Sequence, residues 1–125
     1  MKKVKKQKPG KLTAGIQTRL LQKVQVKYST DQMPPGVCRY QIDAYVIPPA
    51  GASGIPLASI FVLENAITRN PVKDSQMVLN QATGMYSASG FGAPPQSKAK
   101  IWGEVTVTWL IPQTEKATSV IQTVP

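Results

Sequence analysis

Histidine is absent from this 125-residue chain, cysteine occurs once, and only six side chains are acidic. Each shortage removes a class of chemistry. Without histidine the chain lacks the commonest general base near neutral pH and the commonest metal ligand. A lone Cys38 allows no internal disulfide and no cysteine-built zinc centre. As a nucleophile it would need a lysine or carboxylate base, whereas as a small apolar strand residue it needs nothing, so burial is expected. The acids Asp31, Asp43, Glu64, Asp74, Glu104 and Glu115 are each isolated in sequence. No GxxxxGK[S/T] or GxGxxG phosphate loop occurs, and no helical segment follows the glycines that flank Phe91. No apolar run approaches the ~18 residues of a membrane span. The lysine-rich start has no apolar stretch of a signal peptide behind it. These absences argue against an enzyme, a bound metal or cofactor, and a membrane protein. They favour residence in a reducing cytoplasm, or in a particle assembled there.

What is present begins with charge. The chain carries a net +9, but residues 1–12 hold Lys2, Lys3, Lys5, Lys6, Lys8 and Lys11 and no acid. The remainder has nine basic and six acidic side chains, which leaves +3. A charge block of this kind repels itself and lacks an apolar face, so residues 1–15 read as an extended basic arm. A solubilising tail, a polyanion-binding arm and a protein-docking arm all fit the lysines. Val4 and Leu12 favour the protein-docking arm, since a purely electrostatic arm has no use for apolar residues.

The rest of the chain alternates with period two. In "KIWGEVTVTWLI", residues 100–111, Ile101, Val105, Val107 and Trp109 share one parity, while Lys100, Trp102, Glu104, Thr106 and Thr108 share the other. One face is therefore predicted inside and the other outside. "VCRYQIDAYVI", 37–47, places Tyr40, Ile42, Ala44 and Val46 on one face. Residues 16–28 alternate apart from Leu21, and a helical reading of the same apolar residues is disfavoured by "VQV" and the absence of a cap. "LASIFVLEN", 57–65, is apolar on both parities, which suits a strand covered on both faces or one that switches sheets. "AITRNP" reads as a turn, and "VKDSQMVLN" and "MYSASGF" as strands joined through Gly84. The tail, 113–125, has enough Val, Ile and Thr for one more short strand. Six to eight strands with frequent turn signals and no helix predict an all-β antiparallel sandwich over residues 16–112, immunoglobulin-like or jelly-roll-like.

"SIFVLENAITRNPVKDSQMVLNQATGMYSASGF" resembles bacterial immunoglobulin-like and transthyretin-like sandwich modules. The matching pieces are Pro71-Val72, Met77-Val78-Leu79 and Thr83-Gly84-Met85-Tyr86, and "GEVTVTW" is similar to their closing strands. The resemblance spans about residues 40–110. It implies a sandwich fold with a structural or recognition role, and no active-site residue.

Tyr40, Tyr45, Phe61, Tyr86, Trp102 and Trp109, with Arg39, Lys98 and Lys100, would suit a stacking platform for single-stranded nucleic acid. Parity instead sends Tyr40 and Trp109 to the core. It leaves Trp102 on the polar face of its strand, as a candidate contact residue. Taken together, the features predict a non-enzymatic assembly protein: a small capsid, decoration or auxiliary subunit of a virus or bacteriophage particle. It would be oligomeric in context and anchored to other subunits by Lys2, Lys3, Val4, Lys5, Lys6, Lys8, Lys11 and Leu12, with nucleic acid as a further partner of the arm. The alternative is a nucleic-acid-binding barrel of the OB type.

Overall fold

The computed structural model describes residues 21–48, 50, 53–110 and 113–125. The arm, including Lys2 to Leu12, lies outside the described residues. Those described form nine strands and no helix: β1 (Leu21–Ser29), β2 (Cys38–Val46), β3 (Gly54–Glu64), β4 (Ile67–Gln76), β5 (Val78–Asn80), β6 (Met85–Gly92), β7 (Lys100–Trp109), β8 (Gln113–Thr118) and β9 (Gln122–Thr123). They pair antiparallel in two sheets. Sheet A has the order β1-β2-β6-β5, and sheet B the order β4-β3-β7-β8, with β9 continuing β8 along β7. The arrangement is consistent with a sandwich.

Parity decides what lies between the sheets. Tyr40, Ile42 and Ala44 of β2 and Ala58, Ile60 and Val62 of β3 are buried, as are Ile101, Val105, Val107 and Trp109 of β7. Thr106 and Thr108 face outward, as the alternation predicts. Gly103 marks the closest approach of the layers: a Cβ there would meet Cδ1 of Ile42 and lie 2.6 Å from Cγ2 of Val26, both on sheet A. Cys38 is buried in this core.

Three local features depart from the sequence reading. Leu21 and Val26 have opposite parity yet are both buried. A register shift between Gln22 and Gln25, with Lys23 at φ 55, turns the chain between them. "AITRNP" is not a turn, because Asn65 and Ala66 alone reverse the chain, and β4 already runs through Pro71. Proline is tolerated there because β4 is an edge strand that lacks a partner on one side. The third concerns β3, which neither switches sheets nor has both faces covered. The switch falls at Met77, where β4 of sheet B becomes β5 of sheet A, and Met77 N–H donates to the Pro56 carbonyl at 3.0 Å.

The two layers are tied at both flanks. On one, Gln122 Nε2 donates to the Val26 carbonyl at 2.7 Å, joining β9 to β1. On the other, β6 runs so close to β4 that a Cβ on Gly90 would sit 2.5 Å from the Pro71 carbonyl oxygen. The tail is therefore part of the fold, since β8 and β9 complete sheet B.

Candidate functional site

Among the described residues hydrogen-bonded titratable groups form two clusters. At one end Glu64, beside the β3–β4 turn, receives Arg69 Nε at 2.9 Å and the Gln96 backbone N–H at 2.8 Å. Arg69 Nη2 also donates to the Tyr40 hydroxyl at 3.2 Å and the Ala93 carbonyl at 2.9 Å, and Tyr40 itself donates to Ala93 at 2.6 Å. The Arg69 hydrogen bond, helped by the Gln96 N–H, holds the Glu64 carboxyl below its ordinary pKa against the opposing effect of burial. That same bond raises Arg69. Burial pushes the Tyr40 phenol up, and Arg69 only partly offsets it. Every group here is engaged in pinning the 93–96 loop to the sheets, so the cluster is a structural clamp.

The second cluster lies on the outer face of sheet A. Asp43 accepts from Ser87 Oγ and from Gln41 Nε2 at 2.9 Å, and pairs with Lys27 at 3.5 Å. Burial alone would raise its pKa, but the hydrogen bonds from Ser87 and Gln41 and the Lys27 ammonium outweigh it and hold the group low. This carboxylate is satisfied too, and is a poor base. Among the described residues no group of three metal-ligating side chains comes together.

The outer face of sheet B is different in kind. Register places Ile55 opposite Thr108, Leu57 opposite Thr106 and Phe61 opposite Trp102. Because β3 is largely apolar on both parities, its outward residues are apolar except at Ser59, which stands opposite Glu104. Ile55 is 57% exposed, Leu57 41% and Leu110, just beyond β7, 81%. With Ser53, Gly54, Thr106 and Thr108 they line a shallow depression of about 450 Å³. Further along the same face, past the Ser59–Glu104 pair, Phe61 and Trp102 stack, with centroids 5.3 Å apart and planes 16° apart. An ion pair on this face, Lys116 to Glu104 at 3.0 Å, is self-neutralising.

No family model, curated protein or solved structure matches this chain.

Trp102 lies where parity put it, on an outer face, but half-buried against Phe61 rather than free. The aromatics do not form one platform. Tyr40 and Trp109 are in the core, Tyr86 packs against it, Phe61 and Trp102 lie outside sheet B, and Tyr45 lies outside sheet A, where Lys23 sits 5.1 Å from its ring centroid. Ile55, Leu57 and Leu110 were not singled out from the sequence. The available signal was the doubly apolar run of β3 facing β7, whose outward residues opposite Ile55 and Leu57 are the threonines Thr108 and Thr106.

Proposed function

We propose that the chain is a non-enzymatic assembly subunit, a small immunoglobulin-like sandwich that docks on another protein subunit through the outer face of sheet B. The observation that carries this reading is the exposed apolar strip of Ile55, Leu57 and Leu110 around one depression. Contiguous apolar surface of this kind marks interaction sites. Covering each aliphatic side chain contributes up to roughly 1.5–3 kcal/mol. The lysine arm of residues 1–15 then acts as a second anchor, with Val4 and Leu12 seated on a neighbour. A virus or bacteriophage particle is the setting that joins these features to the lone thiol and the lack of histidine. The OB-type alternative draws less support, because the strands divide between two sheets rather than closing one five-stranded barrel.

Sedimentation velocity at rising concentration tests the docking face. The parent chain is expected to form species larger than its 13.5 kDa monomer, or to remain bound to the particle it is purified from. The Ile55→Asp/Leu57→Asp variant should keep its melting temperature and lose that association, since each change would bury an unpaired carboxylate. A parent chain that is monomeric throughout and bound to no particle, or a variant that associates unchanged, overturns the reading.

A further inference from the structure

The outer face of sheet A carries a second surface, independent of the docking strip. β2 and β6 pair so that Arg39 stands opposite Phe91, Gln41 opposite Ser89 and Asp43 opposite Ser87, and β1 adds Ser29 beside Arg39 and Lys27 beside Gln41. Phe91 is 62% exposed although it lies within a strand. It stands between Gly90, which cannot carry a Cβ against Pro71, and Gly92, and the β2–β6 ladder holds its backbone while its ring projects into solvent. The Arg39 side chain is exposed and, among the described residues, makes no hydrogen bond, ion pair or ring contact. Two shallow grooves, of about 230 and 250 Å³, meet at Arg39 and Gln41. Their remaining lining is mostly neutral and polar, with Ser29, Asn80, Ser87 and Ser89. Asp43 is the one acid that register places among these residues, and Lys27, Gln41 and Ser87 already engage it.

We infer that this face binds single-stranded nucleic acid, with a base stacked on Phe91 and the phosphate backbone running past Arg39 and Lys27. An aromatic ring opposite a free guanidinium, next to grooves of mostly neutral donors and acceptors, is the combination that sequence-tolerant strand binders use. Gln41, Asn80 and the serines supply hydrogen bonds to sugar and phosphate oxygens without selecting a base. An acidic peptide would use the cations but not the exposed ring.

Fluorescence anisotropy of the full chain with a labelled oligothymidylate of about 12 nucleotides tests this. The lysine arm will add attraction of its own, so the decisive variant leaves charge untouched. Phe91→Ala should weaken binding roughly ten-fold or more at fixed salt without changing the salt slope, and Phe91→Trp should retain it. Arg39→Gln should reduce the log–log salt slope by about 0.7, and Lys73→Gln, on sheet B, should not. Circular dichroism must be unchanged in all four. Absence of binding overturns the inference. So does a Phe91→Ala variant that binds like the parent, which would leave only the arm's electrostatics, or competition by oligoglutamate that is equally strong with and without the ring.

Discussion

Gly103 lies at the tightest point between the sheets, and its missing side chain is a packing requirement. A methyl group there runs into the ends of Ile42 and Val26. Overpacking of this kind costs about 1–3 kcal/mol, so Gly103→Ala should destabilise by that amount. Ile42→Val removes the obstructing Cδ1, and the double variant should recover part of the loss. Urea unfolding of the four proteins of that cycle reads the coupling directly, and strict additivity would contradict it. Trp109, buried on the same inner face, should cost about 3–5 kcal/mol on replacement by Ala. The carboxylates give a pH signature. Asp43 and Glu64 both titrate lower in the folded chain than in the unfolded one. Their contribution is therefore complete above the ordinary carboxylate range near 4 and is lost as pH falls through the lowered folded values. Ser87→Ala removes a donor to Asp43, and a hydrogen bond to a charged group is worth about 1.5–3 kcal/mol. The variant should melt below the parent at pH 7, and the gap should close under acid conditions. A gap that is constant with pH would mean that Ser87 does not act through the charged form of Asp43.

The elements show which parts of the fold the sequence could disclose. In β7 and β2 every second residue obeys one rule, so parity alone placed Trp109, Tyr40 and Trp102 on their faces. In β1 the rule is interrupted. A bulge at Lys23 shifts parity, and nothing in "LQKVQ" distinguishes that from a strand with one stray leucine. The β3–β4 reversal was hidden for a related reason. Its two central residues, Asn65 and Ala66, both have positive φ, at 52° and 64°, which is the geometry of a type I′ hairpin. Asparagine is a usual occupant, but alanine is not, so the turn did not announce itself while Pro71 did. That mismatch is testable. The left-handed conformation costs an L-residue with a Cβ about 1–2 kcal/mol, and glycine escapes it at some expense of unfolded-chain entropy. Ala66→Gly should therefore stabilise the protein by about 0.5–1 kcal/mol in urea titration, and a destabilised variant would show that the turn is not under strain. The candidate surfaces were only half legible. The two-faced apolarity of β3 was visible, but parity says which residues share a face and not whether anything covers it. Phe91 was less visible still, because its significance depends on the register that sets it beside Arg39.

Across the whole molecule, the two outer faces divide the labour that composition had run together. Sheet B presents aliphatic side chains and a stacked aromatic pair, and sheet A presents a free guanidinium, an exposed ring and neutral polar groups. Because a closely packed core separates them, substitutions on one face should leave the other working. Distant sites without shared partners act additively. Ile55→Asp/Leu57→Asp should abolish assembly and spare oligonucleotide binding, while Phe91→Ala should do the reverse. The arm adds a third, separable contribution. All nine described strands pair among residues 21–123, and the core among the described residues is drawn from 21–124. Deleting residues 1–12 removes six lysines and brings the net charge from +9 to +3, but takes away none of these contacts. The truncated chain should keep its β circular dichroism and its melting temperature, and a large loss of either would make the arm part of the fold. Val4→Asp and Leu12→Asp in the full chain then distinguish what the arm touches. On a polyanion each substitution alters one charge, and binding weakens only by the slope of about 0.7–0.9 per neutralised phosphate. On a protein neighbour each buries a carboxylate without a partner, and assembly fails even though all six lysines remain. The second outcome is expected, and it would be read in the same sedimentation experiment as the docking strip. A chain that assembles normally with both aspartates in place would assign the arm to nucleic acid instead.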